Sequence, residues 1–386
     1  MITYIVHYAE LGLKGKNRPM FEQRLARNIR VALRDLGACQ VQRFYSYLRV
    51  DCEQDDLAPV IEERLARVFG IAYFAPVTVT AQDPAAIAEA VERLALQHIT
   101  PNTSFRIDTR RGDKKFPITS VELDRELGAR VVALTGATVK LRDADVCIVI
   151  QIYIEGAFIF CERRSGAGGL PVGVSGRVLT LVSGGFDSPV AAHLMLKRGC
   201  MPDFLHFHML PTTEQVRNSK VVALVRQLLE PHRITVPLYL APAHPFQMAM
   251  LERDSRLEVV LFRRFVMRVG EALAHQRGAQ ALVTGDSLGQ VASQTLTNLA
   301  VISQATTLPI LRPLIGFDKL EITNLAQHIG THDLSAAPYQ DPCSMHAHNP
   351  KTYARLAEVE AIEAELDMDA LIAETLAQME EIWFTW

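Results

Sequence analysis

The chain has 386 residues, 49% of them hydrophobic and 22% charged, with a formal net charge of −3. That composition excludes a disordered, collagenous or coiled-coil protein, and at roughly 100–200 residues per domain it allows two to four domains. No run of about 18 apolar residues is present to span a membrane, and Met1-Ile2-Thr3-Tyr4 lacks the charged and apolar regions of a signal peptide.

Residues 2–8 alternate like a strand, and a helix is expected from Pro19, a good first-turn residue, to Leu36 before Gly37. One or two strands follow over 40–51 and a helix over 56–68, which makes a small α+β unit. A second such unit reads as strand 72–80, helix 84–98, strand 104–110, helix 119–134, strand 138–141 and a hairpin of Val146–Tyr153 and Ala157–Cys161. Residues 163–177, with five glycines and a proline, are the strongest linker signal. Beyond them apolar strands (178–182, 203–209, 234–240, 280–284) alternate with helices (188–198, 213–229, 254–277), the grammar of a doubly wound parallel sheet. An acidic amphipathic helix is expected over 352–377. The fold class is therefore α/β and α+β multidomain, with divisions at 1–57, 58–165, a linker 166–177, and 178–386.

Charge is uneven. Residues 1–50 hold nine Lys/Arg against three acids, whereas residues 351–386 hold two against nine. Six scattered cysteines (Cys39, Cys52, Cys147, Cys161, Cys200, Cys343), without CxxC or zinc-finger spacing, indicate neither a disulfide scaffold nor structural zinc. The expectation is a reduced, cytoplasmic protein.

The chemistry concentrates after strand 178–182, which runs into Ser183-Gly184-Gly185-Phe186-Asp187-Ser188 and then a helix. Glycines permit a sharp turn and uncover backbone N–H groups, and a helix N-terminus adds unpaired donors and a positive dipole end. Together these make a phosphate cradle. The loop lacks the Lys-Ser/Thr of a Walker A motif and is not G-x-G-x-x-G. It resembles instead the pyrophosphate loop of enzymes that split ATP between its α and β phosphates to adenylate a carbonyl oxygen. A plain Gly-rich turn capped by Asp187 or Ser188 is the bland alternative.

Other stretches narrow the resemblance: Glu10-Leu11-Gly12-Leu13-Lys14-Gly15-Lys16-Asn17-Arg18, Arg110-Arg111-Gly112-Asp113-Lys114-Lys115-Phe116-Pro117, Gly168-Gly169-Leu170-Pro171, Thr284-Gly285-Asp286-Ser287-Leu288-Gly289-Gln290-Val291-Ala292-Ser293-Gln294-Thr295, and Arg312-Pro313-Leu314. In this order they resemble the tRNA 4-thiouridine synthetases (tRNA uracil 4-sulfurtransferases, the ThiI proteins) over nearly the whole chain. The resemblance implies a ferredoxin-like domain, a THUMP domain and a PP-loop ATP pyrophosphatase domain. It implies adenylation of C4 of uridine 8 in tRNA and replacement of the oxygen by persulfide sulfur. It places pyrophosphate at Ser183, Gly184, Gly185 and Ser188, and adenosine at Leu181, Val182, His206, Phe207, Arg263, Gly285 and Gln294. Asp187 is the expected Mg²⁺ ligand and a catalytic residue, Mg²⁺ being a hard ion suited to carboxylate oxygen. Cys343, in Tyr339-Gln340-Asp341-Pro342-Cys343, is the expected sulfur-carrying nucleophile, although a lone cysteine is ordinarily a small buried hydrophobe. The other five cysteines read as core.

Lys14, Lys16, Arg18, Arg110, Arg111, Lys114 and Lys115 are the expected tRNA contacts, where a charge run is otherwise a solvated face. No aromatic stacking platform is visible in the sequence. His206 and His208 alternate on one strand and read as hydrogen-bonded strand residues without a third metal ligand.

Many relatives carry a C-terminal rhodanese domain with a second essential cysteine. Here the chain stops at Trp386, so persulfide is expected either directly from a cysteine desulfurase or through a separate relay protein. Sulfur transfer to a thiamine sulfur-carrier protein and a homodimer are further implications. Two alternatives stay open: another adenylating enzyme built on the same loop, and a THUMP-type RNA-binding protein with an inactive ATPase domain.

Overall fold

The computed structural model describes residues 1–211, 213–251, 256–339 and 350–386. They form two units, Met1–Gly169 and Leu170–Trp386.

The first unit holds two five-stranded sheets. Its elements are β1 (Ile2–His7), α1 (Arg18–Leu33), β2 (Cys39–Arg43), β3 (Leu48–Cys52), α2 (Ala58–Arg67), β4 (Tyr73–Pro76), β5 (Thr78–Thr80), α3 (Pro84–His98), β6 (Ser104–Arg111), α4 (Ser120–Thr135), β7 (Thr138–Val139), β8 (Val146–Tyr153), β9 (Gly156–Phe160) and β10 (Arg164–Ser165). Pro19 lies in the first turn of α1, as expected, where its missing N–H costs nothing. Asp83 caps α3 by accepting from Ala86 N–H, and Thr119 with Glu122 forms a capping box on α4. The first sheet runs β10-β4-β1-β3-β2 and the second β5-β9-β8-β6-β7. Because β4 pairs antiparallel with β1, α2 and β4 belong to the first sheet's layer, which therefore extends past residue 57 to Pro76. Ile5 and Ala75 from the first sheet and Tyr47 from its β2–β3 turn share one buried cluster with Val149, Phe158 and Phe160 from the second. This apolar seam joins the two sheets.

Cys39 and Cys52 lie directly opposite each other on β2 and β3 and are joined by a disulfide. That corrects the reading of both as unpaired core residues. The pairing is a consequence of register, which cysteine spacing alone does not reveal.

The glycine-rich stretch is tied down rather than loose. Gly166 N–H donates to Ala72 O and Gly168 N–H to Ile71 O, whereas Leu170 N–H donates to Lys197 O and Gly173 N–H to Gly199 O. Each half is hydrogen-bonded to its own unit.

The second unit comprises β11 (Arg177–Leu181), α5 (Asp187–Lys197), β12 (Met201–His208), α6 (Thr213–Arg217), α7 (Lys220–Leu229), β13 (Val236–Pro242), α8 (His244–Met250), α9 (Glu258–Arg277), β14 (Leu282–Val283), α10 (Leu296–Ser303), β15 (Ile310–Leu311), α11 (Lys319–His328), α12 (His332–Ala336), α13 (Leu356–Ala364), α14 (Met368–Ala377) and β16 (Glu380–Phe384). The sheet order is β15-β14-β11-β12-β13-β16. Its first five strands pair in parallel, as the sequence pattern requires, and β16 adds antiparallel to β13. The helix expected over 352–377 is in fact two, α13 and α14, because Asp367 caps a new helix through Ala370 N–H. The helix expected over 213–229 likewise breaks at Asn218-Ser219. Arg264, 1% exposed, pairs through both Nε and Nη2 with Glu363 at 2.8 Å and locks α13 onto α9. Among the described residues no helix is long and apolar enough to cross a membrane.

Candidate active site

Strand order reverses between β11 and β14, and in open parallel sheets ligands bind in the crevice at such a switch point, beyond the strands' carboxyl ends. The loop 183–186 leaves β11 there and α5 begins at Asp187. Ser183 N–H donates to Ser188 Oγ at 2.8 Å, which fixes the loop's width. Phe186 at the N-cap supplies no side-chain acceptor, so among the described residues the N-cap side chain leaves the first-turn donors of α5 open. Neither Gly184 nor Gly185 has a positive φ, so a special backbone turn is not their role. A Cβ on Gly184 would fall 2.5 Å from the Tyr339 ring and 2.7 Å from Lys220 Cε. A Cβ on Gly285 would fall 2.7 Å from Ser188 N. Glycine at these two positions allows close approach.

A cavity of about 470 Å³ opens at this point. Leu181, Val182, Ser183, Asp187 and Ser188 line it from the first loop and its flanks, His206 and Phe207 from β12, Arg263 from α9, and Gly285 and Gln294 from the segment after β14. Gly184 and Gly185 belong to the same loop but are not part of the lining. Phe262, Val266 and Met267 give one wall an apolar surface, suited to a flat heterocycle, while the loop side is polar.

Asp187 is held from two sides. Lys319 Nζ donates to its Oδ1 at 2.7 Å and Gln290 Nε2 to its Oδ2 at 2.8 Å. Lys319 is the first residue of α11, whose capping box of Asp318 and Glu321 fixes its direction. The second charged group centres on Asp286. Arg263 Nη2 donates to its Oδ1 at 2.5 Å, Arg312 Nε to its Oδ2 at 3.1 Å, and Thr284 Oγ1 to its Oδ2 at 2.8 Å. Burial alone would raise the Asp286 carboxyl, but the Arg263 charge, the Thr284 hydroxyl and the Arg312 charge outweigh it and hold it below the usual carboxylate range. The sequence marks the stretches that hold Asp286, Gln290 and Arg312 but gives these side chains no role. It does not mark Lys319 at all, because nothing in the sequence around α11 signals a return to the loop.

His206 is 1% exposed. Its Nδ1 donates to Val182 O at 2.9 Å, and its Nε2 meets the Tyr339 hydroxyl at 2.7 Å. It is a hydrogen-bonded strand residue that ties β12 to β11. Burial pushes His208 down to about 4, so it stands neutral at neutral pH. Among the described residues no group of three or more His, Cys, Asp or Glu is placed to hold a metal ion. A Mg²⁺ ion shared with ATP phosphates is usually held by one or two carboxylates, and Asp187, which lines the cavity beside the loop, has the donor chemistry for it.

Cys343 lies outside the described residues. Elsewhere, burial pushes the Cys161 thiol up to about 12 and raises Cys200 as well, so neither is poised as a thiolate.

The expected tRNA contacts divide. Lys16, Lys114 and Lys115 are exposed. Lys14 lies 5.2 Å over the Phe21 ring. Arg110 pairs with Asp108 at 2.9 Å. Arg111 Nη1 donates to the carbonyls of Phe116 and Ile118 at 3.1 and 3.0 Å and so braces the loop that carries the two lysines. Arg18 is bound to Glu22, Tyr8 and the Tyr45 carbonyl.

Known proteins carry the same organisation. Residues 3–75 match the ThiI ferredoxin-like domain, 81–162 the THUMP domain, and 173–368 the family described as Thiamine biosynthesis protein (ThiI). A probable tRNA sulfurtransferase of Thermus thermophilus is 42% identical over 98% of this chain and 93% of its own length. One from Brevibacillus brevis is 40% identical over 97% and 94%. The crystal structure of a 4-thiouridine synthetase–RNA complex with bound ATP superposes with a TM-score of 0.89 at 32% identity, covering all of both chains. With all three domain matches in chain order and relatives 40–42% identical over nearly the whole length, the chain belongs to the tRNA sulfurtransferase (ThiI) family.

Proposed function

We propose that this chain is an ATP-dependent tRNA sulfurtransferase that converts uridine 8 of tRNA to 4-thiouridine. The observation that carries the reading is the convergence of the 183–188 loop, the uncapped start of α5 and Asp187 on one cavity. In this reading the apolar wall takes adenine, with Arg263, Gly285 and Gln294 along the nucleoside. The loop N–H groups and Ser183 and Ser188 hold the β and γ phosphates. Asp187 holds Mg²⁺, which supplies charge neutralisation on the phosphates, and Lys319 stands ready to take the same negative charge.

Uridine O4 attacks the α-phosphorus and pyrophosphate leaves. The terminal sulfur of a persulfide on Cys343 then attacks C4, and AMP departs with the oxygen. A thiol reductant cleaves the remaining S–S bond and leaves sulfur on the base. A cysteine desulfurase is the proposed persulfide donor, directly or through a relay protein. Sulfur transfer to a thiamine sulfur-carrier protein is a second proposed use of the same adenylating site, and a homodimer the proposed assembly. Lys14, Lys16, Lys114 and Lys115 are the proposed phosphate contacts, with Arg18, Arg110 and Arg111 shaping the surfaces around them.

The test is nucleoside mass spectrometry of unmodified tRNA incubated with the protein, Mg-ATP, cysteine and a cysteine desulfurase, with Cys343→Ala alongside. The expected result is 4-thiouridine from the wild type only, with AMP still released by the variant. Thiouridine from both proteins would remove Cys343 from the sulfur path. Ammonium-dependent AMP release without tRNA would replace the reading with that of an amidating synthetase.

A further inference from the structure

We propose that Tyr45 is a stacking platform for an unpaired base of the RNA, with neighbouring cations taking the adjoining phosphates; this rests on the tRNA reading above. Tyr45 stands in the turn between β2 and β3 and is 88% exposed. Such a ring needs a reason to stay ordered, and the structure supplies one. The Arg18 guanidinium lies 4.9 Å from the Tyr45 ring centroid and 5.5 Å from that of Tyr8. Arg18 is fixed in turn, donating to Glu22 Oε1 at 2.7 Å, to the Tyr8 hydroxyl at 2.7 Å and to the Tyr45 carbonyl. One side of the Tyr45 ring thus rests on a clamped cation, and its high exposure leaves the other side to solvent. A platform held in place beforehand loses little freedom when a base stacks on it.

The surroundings select the ligand. Arg43 Nη1 donates to Pro19 O at 2.9 Å, which brings its charge to the first turn of α1. Lys14 and Lys16 stand in and between the two short 3-10 turns that lead into that same helix. The carboxylate of Glu22 is 6% exposed and already shared by Arg18 and Tyr8, so it does not cancel the outward charge. A flat ring among cations suits a single nucleic-acid strand, in which an aromatic face takes the base and lysines take the backbone.

The experiment measures binding of an unmodified tRNA transcript by fluorescence anisotropy across about 50–200 mM salt. It compares wild type with Y45A, Y45F and K16A. Y45A is expected to weaken binding about 5- to 150-fold with an unchanged salt slope, because it removes stacking and no phosphate contact. Y45F should bind within about twofold of wild type, since the ring remains. K16A should lower the salt slope by about one. Y45A binding like wild type would overturn the platform while leaving the tRNA reading intact, whereas a wild type that binds no tRNA removes both. A Y45A variant that binds tRNA normally but loses self-association, or loses affinity for anionic vesicles, would assign the ring to a protein or lipid surface and overturn the proposal.

Discussion

Replacing Asp286 with asparagine isolates what a buried carboxylate does between two arginines. The side chain is 5% exposed, and its partners Arg263 and Arg312 are 12% and 17% exposed. Asparagine keeps the size and one acceptor but removes the charge, which leaves two guanidinium groups facing each other without a counter-ion. Breaking a fully buried pair from one side costs about 3–5 kcal/mol, and the partial exposure of the arginines brings the expectation to about 2–3 kcal/mol. For a cooperative unit near 200 residues that is a Tm lower by about 4–12 °C. The Asp286 carboxyl is held below its usual range in the folded chain, so its contribution is fully present above the unfolded value, about 3.9, and is lost as pH falls through the folded value. The Tm gap between wild type and D286N should therefore be constant from about pH 5 to 8 and narrow below about pH 4. Catalysis should suffer in kcat more than in KM for ATP. The freed Arg263 still lines the cavity along the nucleoside, but it is no longer aimed, and misplacement by about 1 Å costs on the order of 100-fold. Thermal unfolding across pH and AMP release under saturating tRNA are the assays. A D286N protein that melts within about 1 °C of wild type at neutral pH and turns over normally would show that Asp286 neither stabilises the fold nor aims Arg263.

Removing the Lys319 ammonium with K319A should lower AMP release by about 10- to 150-fold, the worth of one charge-assisted hydrogen bond at the loop, while tRNA affinity in anisotropy stays unchanged. G184A places a methyl group 2.5 Å from the Tyr339 ring. It should destabilise the chain by about 1–3 kcal/mol and raise KM for ATP, read by calorimetry and pyrophosphate release, with G285A behaving alike against the α5 backbone. Reducing the Cys39–Cys52 disulfide, or replacing both residues with serine, should cost about 3 kcal/mol, as expected for a loop of this length. Non-reducing peptide mapping should recover the two cysteines as one linked pair, and two separate free-thiol peptides would count against it.

The pyrophosphate loop was legible because its chemistry is local. Strand, glycines, Asp187 and helix are contiguous, and contiguous residues fold into one turn wherever the sheet lies. The residues expected around the nucleoside came from the resemblance to the family rather than from spacing, and β11, β12, α9 and the segment after β14 bring them to one cavity at the sheet's switch point. What stayed hidden depends on partners distant in the chain. Lys319 reaches Asp187 across 132 positions, and Gln290 reaches it across 103. Each meets it only because the sheet places the ends of β11, β14 and β15 side by side. The paired Cys39 and Cys52 are a matter of register, and one residue of slip would turn both side chains to opposite faces. Tyr45 belongs to the same class. In sequence it is one aromatic in Arg43-Phe44-Tyr45-Ser46-Tyr47, and Tyr47, two residues on, is buried at 1% while Tyr45 is 88% exposed. Alternation predicts that neighbours two apart share a face, and they do so only while the strand continues. Here β2 ends at Arg43 and β3 begins at Leu48, so the turn between them releases the alternation and sends the two rings to opposite fates. The residues that carry long-range charge or recognition in this chain are those that sit where a local pattern stops, and their roles follow from topology rather than from motif.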